Sequence, residues 1–371
     1  MEVTLDRDIF LKSLSNAYGI IEKKNTLPIL SNVLIEAKEG KIKITATDLD
    51  IIYSEEIPAV EIKKEGSTTT SASIFHDVLR KLLPGSKIEI FSSDKNKLKL
   101  ESGNSKFNLL CMPPENFPLS DEDFKSKPFQ INAKKLSKLL NKTKISISGD
   151  ETRHYLNGIF FHKTKINDKT YLTGVSTDSH RLSSSSLEID PNIELEPVIL
   201  PKKTIFQLLS LLEENSTDIK ISNNKSKIKF EIGNGVLFSK VIDGKFPDYS
   251  KVIPSNNEKK LEINLNAFKD SIERVISVSS DRKEGLKMKL SENDVEFSVN
   301  SPNSGEGTEN IKASFNSDEM NVIFNSRYLT DIASQIENEL IVIYLKDTGS
   351  PVMIKDISDP NSFYVVMPMK V

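Results

Sequence analysis

The chain carries the segment TLPILSNVLIEA at residues 26–37, and related segments return at 154–163 (HYLNGIFFHK) and, more weakly, at 285–292 (GLKMKLSE). A second motif behaves in the same way, because TATDLDIIYS at 45–54 is followed by VSTDSHRLS at 175–183. The period of roughly 120–130 residues far exceeds the 20–50 residues of a solenoid repeat. Each copy is therefore long enough to form a domain of its own.

The copies divide the chain into three parts. A third pair of related segments, ENFPLSD at 115–121 and GKFPDYS at 244–250, lies near the end of each of the first two copies. Polar, proline-marked segments follow at 125–128 and 254–260, as is typical of linkers. We expect three similar domains in tandem, at residues 1–127, 128–254 and 255–371.

Each copy contains two runs with the apolar periodicity of amphipathic helices. The six predicted helices cover residues 5–21, 73–83, 131–144, 201–212, 263–278 and 325–336. Short alternating runs between them are typical of strands, and in the second copy these are 129–131, 156–162, 171–176, 180–189, 218–222, 227–232 and 236–242. Because a helix with one apolar face must cover a sheet, the predicted class is α+β, with two helices packed on largely antiparallel sheets in each domain.

Composition restricts the class of protein. A net charge of −3 and a pI near 6.0 exclude a globally basic nucleic-acid binder, although a local basic surface remains possible. The single cysteine, Cys111, excludes an intrachain disulfide and favours a reducing compartment. The early charges of the N-terminus are unlike a secretory signal, and no apolar run approaches the roughly 18–20 residues of a membrane helix. We expect a cytoplasmic protein.

Tandem domains with exposed sheet edges can pair through those edges. A head-to-tail contact between different surfaces closes into a ring when the rotation per unit fits, and helices would then line the hole. Lys134, Lys138 and Lys142 recur on the polar face of one predicted helix, and Lys202 and Lys203 begin the next. These lysines suit sequence-independent contact with phosphates inside such a ring. The alternative is that they are ordinary solvated helix faces.

The chain resembles the bacterial sliding clamps, the beta subunits of DNA polymerase III. The matching motifs occur in order over the whole chain: TLPILSNVL at 26–34, TDLD at 47–50, RHYLNG at 153–158, TDSHRL at 177–182, DGKFPDY at 243–249 and YVVMPMKV at 364–371. The resemblance implies a non-catalytic processivity factor without a cofactor. It further implies a head-to-tail homodimer that encircles double-stranded DNA and tethers the replicative polymerase.

The resemblance also places DNA contacts outside the helices. Lys24 stands in the loop before TLPIL where the family has a basic contact, and Arg153, His154 and Tyr155 fill its basic-aromatic-aromatic triplet. His154 stands where an aromatic residue is usual. Asp150 occupies a nearby position that is often neutral, and its carboxylate is expected to repel phosphate.

By resemblance, the end of the chain helps to form a groove for short linear peptides. The expected ligands come from the DNA polymerase III alpha subunit, the clamp loader, other DNA polymerases and repair proteins. The residues expected to line the groove are Leu156, Thr177, Ser179, His180, Arg181, Leu182, Pro247, Val252, Val365, Met367, Pro368 and Met369. Methionines suit such a site because they repack at little cost, although apolar tail residues also suit a core. The third copy has NSPN at 300–303 instead of the TDSHR motif, so we expect one groove per chain.

A subunit contact is expected between the outer edges of the first and third copies. The candidate residues are Val78, Lys97, Lys106, Phe107, Leu109, Val278, Glu306 and Glu309. Opposite charges on the two edges suit a head-to-tail contact, whereas ordinary surface charge is the alternative interpretation. Ile74 and Asn104 stand where the family commonly has basic residues, so the contact is expected to depend more on apolar packing and strand pairing.

Two alternative functions are compatible with parts of the sequence. Asp178, His180 and a nearby serine are the residue types of a hydrolase, but they share one short segment without a nucleophile elbow. A glycine-rich phosphate loop, a CxxC pair and an HExxH motif are absent from the sequence, and the four histidines lack convincing zinc-ligand spacing. We therefore expect neither catalytic residues nor a metal. The second alternative is a peptide-binding scaffold that does not hold DNA.

Overall fold

The computed structural model describes residues 1–22, 27–94, 96–119, 126–213, 217–279 and 285–369. Contacts divide the chain into two compact units. Unit 1 comprises residues 1–135, 194–196 and 206–241, and unit 2 comprises residues 136–193, 197–205 and 242–371. The second sequence copy contributes to both units, so the two boundaries between the three expected domains stay a prediction.

All six predicted helices are present. They are α1 (Arg7–Tyr18), α2 (Ala72–Lys81), α3 (Ala133–Lys144), α4 (Lys202–Glu213), α5 (Leu265–Ile276) and α6 (Ser326–Ala333). Capping side chains mark the starts of five of them, and at α3 Asn132 accepts hydrogen bonds from the amides of Lys134 and Lys135. α1 and α5 begin two residues later than expected, because Leu5 and Ile263 belong to the preceding strands. No helix in the described ranges is long and apolar enough to cross a membrane.

Unit 1 contains a 13-stranded sheet. Its strands are β1 (Glu2–Asp6), β2 (Asn32–Lys38), β3 (Lys41–Thr47), β4 (Ile51–Pro58), β5 (Glu61–Lys64), β6 (Gly66–Ser71), β7 (Lys87–Asp94), β8 (Lys97–Ser102), β9 (Ser105–Met112), β10 (Phe129–Asn132), β15 (Asp218–Asn223), β16 (Lys227–Ile232) and β17 (Gly235–Lys240). The spatial order is β10-β15-β16-β17-β4-β3-β2-β6-β9-β8-β7-β1-β5. α1 and α2 pack against each other through the edge-to-face rings of Phe10 and Phe75, whose centroids are 5.4 Å apart.

Unit 2 contains a 12-stranded sheet. Its strands are β11 (Gly158–Ile166), β12 (Lys169–Thr177), β13 (Arg181–Glu188), β14 (Val198–Pro201), β18 (Lys259–Asn264), β19 (Gly285–Leu290), β20 (Asp294–Ser301), β21 (Gly305–Phe315), β22 (Met320–Asn325), β23 (Leu340–Leu345), β24 (Val352–Lys355) and β25 (Ser362–Val366). The spatial order is β14-β11-β12-β13-β25-β24-β23-β18-β21-β20-β19-β22. Every neighbouring pair is antiparallel in this sheet, as in the sheet of unit 1, which confirms the predicted α+β class.

Strand pairing joins the sequence copies. In unit 1, β17 of the second copy pairs with β4 of the first, and in unit 2, β13 of the second copy pairs with β25 of the third. Backbone hydrogen bonds therefore cross both predicted boundaries. This explains why compact units and sequence copies do not coincide.

The repeated Thr-Asp motif forms the same tight loop twice. In the loop that joins β3 to β4, Thr47 donates through Oγ1 to the carbonyl of Ile51, and the carboxylate of Asp48 accepts from two backbone amides. In the loop that joins β12 to β13, Thr177 and Asp178 make the corresponding bonds. The third loop residue has a positive φ in both cases, +79° and +77°. The sequence repeat is thus a structural repeat.

Candidate functional site

A groove of about 220 Å³ opens in unit 2 and is called the tail groove below. It is lined by Thr177, Ser179, His180, Arg181, Leu182, Pro247, Asp248, Tyr249, Val252, Val365 and Met367. Nine of these eleven residues were expected from the sequence. Asp248 and Tyr249 were missed, although both lie in the DGKFPDY motif that pointed to their neighbour Pro247.

The loop at 177–181 forms one side of the tail groove. Ser179 adopts a φ of +77°, a backbone conformation that non-glycine residues rarely adopt. The surrounding hydrogen bonds stabilise it, because the carboxylate of Asp178 accepts from the amides of His180 and Arg181 and the Thr177 hydroxyl accepts from the amide of Ser179. The exposed side chains of Ser179 and His180 are therefore presented on a rigid turn.

Arg181 connects this loop to α6. Its guanidinium is buried and donates to Asp178 at 3.1 Å and to Asp331 at 2.7 Å. The same group lies 4.4 Å from the ring centroid of Tyr328, which is cation–π geometry. Two carboxylates and an aromatic ring hold this buried guanidinium in place. Its main role is therefore to position the groove wall, and little of its charge is available to a ligand.

The C-terminal tail crosses the tail groove after β25. The amide of Met367 donates to the carbonyl of His180 at 2.8 Å, and the amide of Met369 donates to the carbonyl of Ile323 at 2.8 Å. Met367 is 40% exposed and lines the groove. Pro368 is buried and Met369 lies beside Gly285, so neither lines the groove as the sequence had predicted.

Leu156 is a second correction to the predicted lining. It is 2% exposed and packs in a small core cluster with Leu182, Phe246 and Val365. Its position at the end of a 3-10 turn, Glu151–Leu156, points it into this core. Leu156 therefore supports the groove floor from below.

The predicted basic triplet lies in the same 3-10 turn. Arg153 donates from Nε to Asp150 at 2.8 Å and from Nη1 to Ser179 at 2.6 Å. Hydrogen bonds from Thr152 and Arg153 hold the pKa of the Asp150 carboxyl below its ordinary value. Asp150 was expected to repel phosphate, and in the structure its carboxylate also holds the guanidinium of Arg153. The ring of His154 is exposed and meets Tyr155 edge-on at 5.8 Å.

The lysines of α3 differ from one another. Lys134 and Lys138 are exposed, as expected, and Lys138 donates to Glu337 at 2.8 Å. Burial acts to lower the pKa of the Lys138 ammonium, but the carboxylates of Glu337 and Asp359 outweigh it and leave that pKa raised. On α4, Lys202 is exposed and Lys203 is half-buried. Lys24 lies outside the described residues.

Lys142 is a clear correction. It was expected on the polar face of α3, yet its side chain is 3% exposed. Its ammonium lies 2.7 Å from Asp359, 3.7 Å from Asp356 and 3.8 Å from Glu337. The helical period placed it with Lys134 and Lys138, but the acidic turn between β24 and β25 covers this end of the helix. Lys142 is therefore not accessible to a DNA phosphate.

Lys142→Ala is expected to destabilise the protein by about 3–5 kcal/mol. The substitution would leave the carboxylates of Asp356 and Asp359, which are 0% and 13% exposed, without their buried counter-charge. Lys134→Ala, on the exposed face of the same helix, should change stability by less than about 0.5 kcal/mol. Urea unfolding followed by circular dichroism measures both, and equal midpoints for the two variants would contradict the structural role of Lys142.

A second cavity, of about 340 Å³, lies in unit 1 and is called the α2 groove below. It is lined by Ile74, Asp77, Val78, Lys81, Leu82, Ser105 and Phe107. Val78 and Phe107 were expected at a subunit contact, and Lys97 and Lys106 are exposed on the adjoining strands. Leu109 is only 9% exposed because the alternation of β9 turns it inward, whereas Leu110 is 78% exposed. Leu109 stays a predicted contact residue, and its exposed neighbour Leu110 was not predicted from the sequence.

The predicted contact residues of the third copy lie around α5 and β21. Glu309 accepts from Arg274 at 2.6 Å and from Ser271 at 2.8 Å, so its charge is already paired within unit 2. The Arg274 guanidinium and the Ser271 hydroxyl hold the pKa of Glu309 below its ordinary value. Glu306 is exposed, and Val278 is half-buried beside the core. Glu306 is thus the more accessible carboxylate of the two.

The residues considered for hydrolysis do not form a catalytic arrangement. The carboxylate of Asp178 accepts from the backbone amides of His180 and Arg181 and from the Arg181 guanidinium. It is therefore occupied in shaping the loop and does not orient the His180 imidazole. Among the described residues, no cluster of three or more histidine, cysteine or acidic side chains could hold a metal ion.

Comparison with known proteins decides the family. Three models of the DNA polymerase III beta subunit match in order: the N-terminal domain at residues 1–121, the central domain at 130–248 and the C-terminal domain at 250–370. The beta sliding clamp of Caulobacter vibrioides is 33% identical over 373 residues, with 100% of both chains covered. The chain belongs to the beta sliding clamp family.

Two further relatives agree. The beta sliding clamp of Rickettsia felis is 35% identical over 384 residues, with all of both chains covered. The crystal structure of the sliding clamp of Bartonella birtlesii bound to griselimycin has a TM-score of 0.96, 39% identity and full coverage of both chains. The beta sliding clamp family consists of non-catalytic processivity factors, which confirms the expectation that the chain is not an enzyme.

Proposed function

We propose that the chain encircles double-stranded DNA as a head-to-tail homodimer and acts as the processivity factor of bacterial DNA polymerase III. The observation that carries this proposal is the match to all three beta subunit domains along the full chain. A sliding clamp must hold DNA without reading its sequence, because base contacts would stop its movement. The closed ring keeps the protein on the DNA. The protein acts in the bacterial cytoplasm.

Two open sheet edges support the homodimer. In the described part of unit 1, β9 pairs with β6 only at Cys111 and Met112, which leaves residues 105–109 open on that side. In unit 2, β21 pairs with β18 only at residues 313–315, so residues 305–312 have β20 on one side. Open edges invite pairing, and two different edges suit a head-to-tail contact that closes into a ring.

Retention on circular DNA tests the proposal. The clamp, placed on a nicked circular duplex by its clamp loader, should stay bound through gel filtration in about 0.5 M salt, at which phosphate contacts are strongly weakened. Cutting the same DNA once should release it, because a closed ring leaves only over a free end. Release from circular and linear DNA at the same rate would contradict enclosure and favour the peptide-binding scaffold.

DNA contact is proposed for Lys24, Arg153, His154, Tyr155, Lys134, Lys138, Lys202 and Lys203. Arg153 is held by Asp150 and Ser179, so its guanidinium is pre-positioned but partly neutralised. Lys138 is likewise paired with Glu337. On binding DNA, Arg153 and Lys138 would each exchange a carboxylate partner for a phosphate. Each of these two contacts should therefore contribute little to the free energy of DNA binding.

Replacing both Lys24 and Arg153 with Ala should slow loading onto primed DNA by about 3- to 10-fold, because two phosphate contacts are lost. Retention after loading should stay near wild type, since enclosure does not depend on them. Loading is measured as clamp-dependent primer extension at limiting clamp concentration. Asp150→Ala is the control variant. It removes the carboxylate that accepts a hydrogen bond from Arg153, so it should not slow loading. Unchanged loading in the double variant would remove both residues from the proposed DNA surface.

The tail groove is proposed as the docking site for short linear peptides from the polymerase III alpha subunit, the clamp loader, other DNA polymerases and repair proteins. Apolar side chains such as Leu182, Val252 and Met367 line it, and buried apolar anchors carry most of the energy of such contacts. Methionine adapts to different ligands at little cost. Binding of griselimycin, measured by calorimetry, provides a direct assay of the groove.

A further inference from the structure

His162, on β11, belongs to an aromatic stack that reaches the wall of the tail groove. Its imidazole stacks on the ring of Phe160, with centroids 4.2 Å apart and planes 17° from parallel. Phe160 in turn stacks on Phe246, at 5.0 Å and 9°. Phe246 is buried, and the residues after it, Pro247 and Tyr249, line the groove. The stack therefore ties one groove wall to the sheet of unit 2.

A hydrogen bond completes this connection. Nε2 of His162 lies 3.0 Å from the hydroxyl of Tyr249, and the two rings meet edge-on at 73° with centroids 5.7 Å apart. Nδ1 of the same imidazole is buried without a hydrogen-bond partner in the described structure. The bond to Tyr249 is the side-chain hydrogen bond that the described structure gives this ring, and a buried hydrogen bond is costly to lose.

Burial keeps this imidazole neutral. It lowers the pKa of His162 to about 4, so the ring has one donor and one acceptor nitrogen near pH 7. Tyr249 is half-buried, and burial followed by the neighbouring Asp248 raises the pKa of its phenol. A neutral imidazole and a neutral phenol form a hydrogen bond that is insensitive to salt. It suits a fixed wall better than an ion pair would.

We propose that His162 is a positioning residue of the tail groove: it fixes the side chain of Tyr249 through Nε2 and so holds the groove wall in its ligand-ready shape. The inference rests on the proposed peptide-binding function of this groove. Tyr249 begins a single 3-10 turn, Tyr249–Val252, whose start is capped by Asp248. Without His162 the Tyr249 ring would have to be ordered by each ligand, which lowers affinity. His162 does not line the groove itself.

Calorimetry with griselimycin tests this on the full-length clamp. His162→Phe keeps a ring on Phe160 but removes the nitrogen, and Tyr249→Phe keeps the groove ring but removes the hydroxyl. Each single variant should bind about 3- to 10-fold more weakly, as expected for one lost hydrogen bond and a less ordered wall. The double variant should bind no more weakly than either single variant, because both remove the same interaction. Additive losses, or a His162→Phe variant with wild-type affinity, would overturn the proposal.

A spectroscopic measurement separates positioning from general stability. In fluorotyrosine-labelled protein without ligand, the resonance of Tyr249 is assigned by its absence in Tyr249→Phe. It should shift or broaden in His162→Phe while the other tyrosine resonances and the thermal midpoint stay unchanged. An unaltered Tyr249 resonance would overturn the inference. If the wild-type clamp itself failed to bind griselimycin, the proposed groove function would fall together with the inference, an outcome that differs from a failure of His162 alone.

Discussion

Removal of residues 367–371 is expected to weaken griselimycin binding by at least about 100-fold and to abolish capture of the polymerase III alpha subunit. The deletion takes away Met367, an apolar wall of the tail groove. It also removes the amides that satisfy the carbonyls of His180 and Ile323. The fold should survive, since β25 ends at Val366 and keeps its pairing with β13 and β24. Calorimetry and a pull-down measure the two effects.

A shorter deletion provides the matched control. Removing only residues 370 and 371 keeps Met367 and the anchoring amide of Met369 in place. This variant should bind griselimycin within about 2-fold of wild type, because it keeps every groove-lining residue that the structure describes. Circular dichroism and the thermal midpoint should be the same for both deletions. Wild-type affinity in the longer deletion would show that the ligand site lies elsewhere.

The paired substitution Ile74→Asp and Val78→Asp is expected to convert the homodimer to a monomer and to abolish retention on circular DNA. Both residues lie one turn apart on α2 and line the α2 groove. Ile74 is 55% exposed in the isolated chain, so a carboxylate there costs little before association. In a subunit contact the two carboxylates would be buried without partners, which costs about 3–5 kcal/mol and weakens the dimer by roughly 10²- to 10⁴-fold.

The control variant introduces two aspartates at exposed positions outside the α2 groove. Val60→Asp with Ile166→Asp also exchanges two exposed apolar residues, 51% and 48% exposed, for aspartate. Neither residue lies at the open edges of β9 or β21, so this variant should remain a dimer and stay on circular DNA. Analytical ultracentrifugation gives the dimer dissociation constants, and the DNA assay gives retention. A dimer of wild-type stability in the α2 variant would exclude this surface from the subunit contact.

Local interactions explain how much the sequence revealed of the fold. The six helices were predictable because each has a 3.6-residue apolar period, and in five of them a side chain such as Asn132 or Asn264 caps the start within three residues. The Thr-Asp loops were predictable as repeats because their hydrogen bonds stay within five residues. β14 was missed, since its residues Val198, Ile199 and Leu200 form a continuous apolar run without the alternation that marked the other strands.

The tail groove was predictable only through motifs. Resemblance assigned the segments at 177–182, 243–249 and 364–371 to one site, and the structure brings residues of all three together. Within a segment, resemblance could not tell lining residues from their neighbours. Pro368 turns into the protein and Leu156 into the core below, because side-chain direction depends on the backbone angles of each residue.

The amino-acid pattern by itself determined three tandem copies, the helix and strand content and the family. These three features depend on the periodicity of apolar residues and on short motifs. Both are local properties of the sequence and do not depend on how distant segments pack. Only the tertiary structure decided which charged side chains are paired. The sequence pattern predicts Lys142 and Glu309 as surface residues. In the structure Lys142 pairs with Asp359 and Glu309 pairs with Arg274, which lie 217 and 35 residues away along the chain. The physical reason is that burial and ion pairing depend on distance in space, and a helical period fixes the face of a residue without saying what covers that face.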